Sequence, residues 1–217
     1  VGIHALGGTV VDPIVRHCTA GYTPIVNLNG TVMDRCQIVS NTSVYGRTVI
    51  MEGGSWLGNS LIVSNRTTHG TWGYFSGVYL NNGRVINCTI AHNQSAVSSG
   101  AGLYRIAGTV TNCIIYYNTA ASAPHNYSGD QSAVGYSCAP DLTHGVNGNI
   151  TNVPGFKDLS VGNYRLAVGS PCRDAGVVMP GMTSWRDLDL KPRVQFGGVD
   201  MGAYESPPPA GTIMVVQ

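Results

Sequence analysis

The feature that most constrains the fold of this chain is a pair of short sequence motifs that recur together. Five six-residue segments end in glycine, and their final glycines lie 22 to 29 residues apart. They occupy residues 3–8, 25–30, 49–54, 78–83 and 103–108. The last four are each followed by a second motif: CQIVSN, SLIVSN, CTIAHN and CIIYYN. A period in the twenties, built from β-branched runs without helical periodicity, is typical of a solenoid. The repeats predict an all-β, right-handed parallel β-helix.

Composition narrows the class of protein further. Only 11% of the 217 residues are charged and the net charge is +1, while 43% are hydrophobic. Such a chain is too apolar for disorder, and it lacks the basic surface that nucleic acids or anionic lipids require. No apolar run reaches the length of a membrane span. We therefore expect neither nucleic-acid binding nor membrane insertion.

The repeats divide the chain into three parts. Residues 1–118 are predicted to form about five coils, residues 119–206 a loop-rich final coil with a C-terminal cap, and residues 207–217 a proline-rich tail with a short strand. The first residues, VGIHALGG, are already inside a coil and carry neither a cap nor a signal-peptide pattern. We expect a fragment or processed piece of a longer surface protein.

Strand alternation assigns faces within each six-residue segment, because successive side chains point to opposite sides of a sheet. The second and fourth positions are predicted to face outward. The second positions are His4, Val26, Ile50, Tyr79 and Tyr104, and the fourth are Leu6, Leu28, Glu52, Asn81 and Ile106. Asn27 and Arg105 fall at inward positions, where a polar side chain fits poorly. The outward columns predict an apolar strip that contacts a partner or another copy of this chain, unless a loop of the same chain covers it.

The second motif places residues of similar type at the same position of successive coils. One column holds Cys36, Ser60, Cys88 and Cys113, and another holds Asn41, Asn65, Asn93 and Asn118. The cysteines are about a coil apart rather than at metal-ligand spacings, so they are interpreted as small buried core groups. Stacked asparagine amides can bond from coil to coil. The N-x-S/T triplets that this column creates are expected to remain unglycosylated.

One connection, residues 66–77, is longer than the others and rich in aromatic residues. It carries His69, Trp72 and Tyr74. A protruding aromatic loop on a rigid scaffold suits a sugar or a protein partner. The alternative is that the loop folds its rings back onto the coils.

After residue 118 the repeat is lost, and the sequence that follows no longer resembles that of the coils. NYRLAVGSPCRDAG (163–176), WRDLDLKPR (185–193) and GGVDMGAYE (197–205) resemble the C-terminal segment of bacterial right-handed β-helix surface proteins of the pectate-lyase-like, choice-of-anchor type. The resemblance covers about residues 150–205, with Leu190 where the family usually has glycine. It implies an extracellular or cell-surface location. It also implies that Asp174, Asp187 and Asp200 belong to turns of a cap rather than to a catalytic set.

Two cysteines flank this segment. Cys138 and Cys172 are the best candidates for a disulfide, which would suit an oxidising, extracellular setting. The column cysteines are expected to stay reduced.

Catalytic chemistry finds little support in the residues. Residues 1–118 offer only Asp12, Asp34 and Glu52 as acids, and neither Asp34 nor Glu52 has an acidic partner one coil away. A glycosidase needs two facing carboxylates, and a calcium-dependent lyase needs several acidic ligands. We predict no catalytic residue, no metal site and no cofactor, since no acidic cluster supports bound Ca²⁺.

The leading hypothesis is a noncatalytic extracellular β-helix module with a structural, adhesive or assembly role. Two alternatives stay open. One is a carbohydrate-binding domain or a carbohydrate-active one, meaning a polysaccharide lyase or glycoside hydrolase. The other is a subunit of a surface layer or filament. The expected partners are a polysaccharide, a surface protein or copies of this chain.

Overall fold

Parallel strands stack into a β-solenoid of about five turns. The computed structural model describes residues 2–69, 77–96 and 100–207. Each of the first three coils contributes four short strands. They are β1 (Ile3–Leu6), β2 (Thr9–Val11), β3 (Ile14–Arg16) and β4 (Thr19–Ala20); β5 (Val26–Asn29), β6 (Val32–Asp34), β7 (Gln37–Val39) and β8 (Thr42–Ser43); and β9 (Val49–Glu52), β10 (Ser55–Gly58), β11 (Leu61–Val63) and β12 (Arg66–Thr67).

In the next two coils the first and second strands merge into one long strand. These coils contain β13 (Val78–Ile86), β14 (Thr89–Ala91), β15 (Gln94–Ser95), β16 (Leu103–Thr111) and β17 (Ile114–Tyr116). The chain continues with β18 (Tyr127–Ser128), β19 (Val134–Gly135), β20 (Phe156–Asp158) and β21 (Asn163–Leu166), and with 3₁₀ turns at Val146–Gly148, Leu159–Val161 and Met182–Ser184. Among the described residues, no helix has the length and hydrophobicity of a membrane span.

Strands at the same place in each coil pair in parallel. The third strands form the sheet β3-β7-β11-β14-β17, and the fourth strands form β4-β8-β12-β15. The first and second strands share a larger sheet, because β13 and β16 belong to both rows. Parallel pairing repeats the same residue type every coil at about 4.8 Å. The inward columns therefore become continuous apolar rows, such as Ile38, Ile62, Ile90 and Ile115, all fully buried.

The register of the second coil differs from the one that the glycine spacing predicts. Val26 pairs with Val49 and Leu28 with Met51, and all four side chains are fully buried. The prediction that Val26 and Leu28 face outward is therefore wrong. Asn27 takes the outward place beside Ile50. The physical reason is that a shift of one residue exchanges the two faces of a strand, and this register puts two apolar side chains into the core and leaves Asn27 half-buried on the other face.

The turns between sheets depend on non-glycine residues with positive φ. The residue directly before each copy of the second motif has φ between 49° and 54°; these residues are Arg35, Asn59, Asn87 and Asn112. Before each column asparagine stand Ser40, Ser64, His92 and Tyr117, with φ between 54° and 60°. Left-handed backbone is costly for most residues, and asparagine adopts it more readily than others. The repeated strain is held in place by the hydrogen-bonded columns that follow each turn.

The predicted asparagine column is confirmed as an inner ladder within the core. Asn41 donates to Asn65, Asn65 to Asn93 and Asn93 to Asn118, each from Nδ2 to Oδ1 at 2.9 Å. Each acceptor oxygen also receives the backbone N–H of the asparagine one coil earlier. The four side chains are buried, which also removes them from any glycosylating enzyme in the folded state.

A second ladder was not predicted from the sequence. Asn112 donates to Asn87 at 3.0 Å, Asn87 to Asn59 at 3.0 Å, and Asn59 to the carboxylate of Asp34 at 2.8 Å. The three asparagines directly precede the cysteine column, so an Asn-Cys or Asn-Ser pair in three coils was the available signal. We call Asn59, Asn87 and Asn112 the outer ladder.

The C-terminal segment packs along the side of the solenoid. Residues 152–207, here called the flank segment, lie against the outer side of the third sheet. Tyr164, Ala203 and Tyr204 pack on Leu61, Val63 and Ala91, and the N–H of Ala203 donates to the Thr89 hydroxyl at 3.0 Å. Residues before this segment also contribute to the core beyond the last coil, since Tyr127, Val134, Ala139 and Leu142 join it. An apolar outer face on the third sheet requires this cover.

The acidic residues of the flank segment hold its turns together. Asp187 accepts the N–H groups of Asp189, Lys191 and Glu205, and Asp200 accepts those of Asp174 and Ser206. Arg193 is fully buried with Nη2 3.1 Å from Glu205. The interpretation of Asp187 and Asp200 as turn residues is confirmed by these contacts.

Candidate functional site

Three of the predicted binding residues lie side by side on the outside of the first row of strands. Tyr79 pairs with Ile50 on one side and with Tyr104 on the other. The two tyrosine rings are parallel within 3°, with centroids 6.0 Å apart. Val26 does not belong to this group, because its side chain is in the core. The predicted apolar strip is therefore shorter and more aromatic than expected.

A second aromatic column lies in the turn that leads into the first strand. Tyr22 and Tyr45 stack with centroids 4.7 Å apart at 8°, and His69 continues the column 5.0 Å from Tyr45. The backbone supports this stacking, since the Tyr45 N–H donates to Gly21 at 2.8 Å and the His69 N–H donates to Val44 at 2.9 Å. Gly46 follows Tyr45, and a Cβ there would stand 2.5 Å from the Thr23 carbonyl oxygen. Glycine thus permits the close approach of neighbouring turns.

Arg47 joins the two columns. It follows Tyr45 by two residues, and its guanidinium carbon lies 4.0 Å from the centroid of the Tyr79 ring. We call Tyr22, Tyr45, His69, Arg47, Ile50, Tyr79 and Tyr104 the aromatic face. Tyr22 is 81% exposed and His69 is exposed, while Tyr79 and Tyr104 are half-buried. The ring edges and polar tips of these side chains, next to a guanidinium, can contact the apolar side of a sugar ring and bond to its hydroxyls.

Part of the aromatic face could be predicted from the sequence. Ile50, Tyr79, Tyr104 and His69 were predicted, whereas Tyr22, Tyr45 and Arg47 were missed. The signal for the turn column was available, because Tyr22, Tyr45 and His69 are separated by one repeat each. Trp72 and Tyr74, also predicted to bind, lie outside the described residues.

The predicted structural cysteines occupy the core. Cys36, Cys88 and Cys113 are fully buried, and burial raises the pKa of the Cys36 thiol to about 12. A thiol with so high a pKa stays protonated at neutral pH and is a poor nucleophile. Their interpretation as core groups is confirmed.

Cys138 and Cys172 are neighbours, although both are free thiols in this structure. They share an apolar cluster with Ile114, Leu166 and Met201. Hydrogen bonding to Cys138, together with burial, raises the pKa of Cys172. The fold brings the two sulfurs together without a bond, and their oxidation to a disulfide stays a prediction.

The acidic residues of the coils are largely neutralised by arginine. Asp12 accepts two hydrogen bonds from Arg35 at 2.8 and 3.0 Å, and Asp34 accepts one at 2.7 Å. Glu52 lies at the end of β9, opposite Asn29. Within residues 2–69, 77–96 and 100–207, no group of three or more His, Cys, Asp or Glu side chains is arranged to hold a metal ion.

Comparison with protein-family models, with curated proteins and with solved structures found no match to this chain. The parallel β-solenoid is established by the strand pairing of the chain itself.

Proposed function

We propose that this chain is a noncatalytic, adhesive module of an extracellular or cell-surface β-helix protein, and that it binds polysaccharide along the aromatic face. The observation that carries this proposal is the column of Tyr22, Tyr45 and His69 over three consecutive coils, in which Tyr22 and Tyr45 are stacked and His69 is tilted by 51° to Tyr45. Tyr22 and Tyr45 stack on each other, so the column presents ring edges and polar tips, repeated at coil spacing, as successive contact and hydrogen-bonding positions for an extended chain of sugars.

We also propose that the chain belongs to the pectate-lyase-like, choice-of-anchor surface proteins. The motifs at 163–176, 185–193 and 197–205 resemble those of pectate-lyase-like, choice-of-anchor surface proteins. The parallel solenoid supports that resemblance at the level of architecture, and architecture alone does not define function. The proposed extracellular or surface location rests on the same resemblance.

A binding role accounts for the side chains better than an enzymatic one. The carboxylates of Asp12 and Asp34 both engage Arg35, so neither is poised as a nucleophile or base. The acids of the flank segment hold backbone N–H groups. The aromatic face offers flat rings and donors, which suffice for recognition.

Adsorption to insoluble polysaccharides tests this proposal. The protein would be incubated with cellulose, chitin, xylan and cross-linked pectate, and the bound fraction measured against concentration. We expect saturable binding to at least one of them, and a loss of about tenfold or more in affinity for Tyr45→Ala combined with Tyr79→Ala. Phe196→Ala is the matched control, because Phe196 is an exposed aromatic residue of the flank segment rather than of the aromatic face.

Two outcomes would contradict the proposal. One is that the unaltered protein binds none of these materials above the background of an unrelated protein. The other is that the double variant, with circular dichroism identical to the parent, binds as tightly as the parent does.

A further inference from the structure

A second concave site lies where the flank segment meets the second row of strands. Its lining includes Val11, Val32 and Trp56 from the solenoid and Trp185 and Arg186 from the flank segment, and it has a volume of about 470 Å³. We call it the Trp groove. Val11 is 47% exposed and Val32 is 39% exposed, so apolar surface is open to solvent along its floor. A volume of this size falls within the range of small-ligand sites.

The two tryptophans form a corner rather than a flat patch. Trp56 lies along its strand and covers Gly58, where a Cβ would come within 1.9 Å of the indole ring. The Trp185 ring stands at 79° to it with centroids 5.8 Å apart. Glycine at position 58 is thus what lets the Trp56 ring lie flat against the sheet. A ring ligand can stack on one indole while its edge meets the other.

Fixed polar groups close one end of the groove. Asp34 accepts from Asn59, the end of the outer ladder, at 2.8 Å and from Arg35 at 2.7 Å. Arg35 in turn holds Asp12 through Nε and Nη2. Each carboxylate oxygen has lone pairs beyond those used here, so the cluster can accept further hydrogen bonds from a ligand without rearrangement.

Charge and shape together select the class of ligand. Asp34 pairs with Arg35 in the lining, and Arg35 also pairs with Asp12 just outside it, so the charges at this end of the groove are already compensated and attract an ionic ligand little. An occupant must present an apolar face to the indoles and hydroxyl donors to the Asp34 carboxylate. Sugar rings combine both, whereas aliphatic peptide side chains present only the first.

We propose that the Trp groove is a second binding site, separate from the aromatic face, and that it takes a neutral pyranose unit of an oligosaccharide. The site goes beyond the proposed function, since it lies on different strands and includes the flank segment. It gives the flank segment a role in recognition as well as in covering the third sheet.

Tryptophan fluorescence tests this assignment directly. The chain has three tryptophans, so a Trp72→Phe background leaves only Trp56 and Trp185 as reporters. Cellohexaose, mannohexaose, xylohexaose and hexagalacturonate would each be titrated into that protein. We expect a saturable change with at least one neutral hexasaccharide, and weaker or no binding of the anionic one.

Variants separate this site from the aromatic face. Trp185→Ala is expected to weaken neutral-sugar binding about tenfold or more, and Trp185→Tyr to restore part of it. The double variant Tyr45→Ala with Tyr79→Ala changes only the aromatic face and should leave the fluorescence titration unchanged. The result for one site is therefore independent of the result for the other. Val32→Glu, a change at an exposed floor position, provides a second loss-of-binding variant if Trp185→Ala does not fold.

The proposal is overturned if none of the neutral hexasaccharides changes the fluorescence or gives heat in calorimetry. It is also overturned if hexagalacturonate binds more tightly than every neutral sugar, or if folded Trp185→Ala and Val32→Glu both bind as the parent does.

Discussion

Asn112 bonds twice to the backbone of Val177: its amide nitrogen donates to the Val177 carbonyl at 2.9 Å, and its oxygen accepts the Val177 N–H at 2.8 Å. The same amide nitrogen donates to Asn87. Both hydrogens of this amide are therefore used, and the outer ladder continues from the flank segment through three coils to Asp34. The flank segment is thus tied to the solenoid by a polar contact as well as by apolar packing.

Asn112→Ala should loosen the flank segment. The variant leaves the N–H and C=O of Val177 and the oxygen of Asn87 without their partner, and we expect the free energy of unfolding to fall by about 2–4 kcal/mol. Limited proteolysis should cut within residues 152–207 sooner than in the parent. Asn152→Ala, at an exposed position, is the control and should change neither quantity. An unaltered cleavage pattern would show that apolar packing alone holds the segment.

The register of the second coil is tested by neighbouring substitutions. Val26→Ala removes two methyl groups from the core and should lower the free energy of unfolding by about 1–3 kcal/mol. Asn27→Ala, one residue further on the outer face, should change it by no more than about 0.5 kcal/mol. Chemical denaturation of both variants provides the measurement. If Asn27→Ala proved the more damaging of the two, the outward assignment of Asn27 would be wrong.

Stability should decrease as pH rises through the neutral range. Burial raises the pKa of Glu205 to about 9, from an ordinary value of 4.5, and Arg193 opposes this shift only in part. Between these pH values the folded protein holds a proton that the unfolded chain has released, so rising pH favours unfolding. Burial raises the pKa of Asp187 as well, which acts in the same direction.

Glu205→Gln should make that decrease shallower, because the amide keeps the shape of the side chain and cannot ionise. Guanidinium denaturation at about pH 5, 7 and 9 would compare the two proteins. Asp158→Asn is the control, because it removes an exposed acid of the same segment and should leave the slope above about pH 5 unchanged. A Glu205→Gln variant whose decrease is as steep as that of the parent would remove Glu205 as the cause.

Thiol reactivity should separate the cysteines by burial. Cys18 is partly exposed and should be alkylated first, whereas Cys36, Cys88 and Cys113 should react only after unfolding. Mild oxidation of the native protein should join Cys138 to Cys172, and non-reducing peptide mapping would identify the linked peptides. Cys172→Ser is the control that abolishes them. Recovery of Cys138 and Cys172 as separate, alkylatable thiols after oxidation would contradict the predicted bond.

Most of the solenoid is determined by the repeat in the sequence. In-register parallel strands place residues one period apart next to each other, so the rows of Ile38, Ile62 and Ile90 and the inner asparagine ladder could be predicted from spacing alone. Tyr79 and Tyr104 could be paired for the same reason. Every such contact joins neighbouring coils, and each coil repeats the information of the previous one.

Two features were decided only by tertiary structure. The faces of Val26 and Asn27 depend on a one-residue register, which glycine spacing does not specify because a turn can absorb one residue. The position of the flank segment depends on contacts that do not repeat, such as Trp185 with Trp56 and Asn112 with Val177. A periodic sequence predicts which coil follows which, but the place where a nonperiodic segment docks is set by the apolar surface that the coils leave uncovered, and that surface exists only once they are stacked.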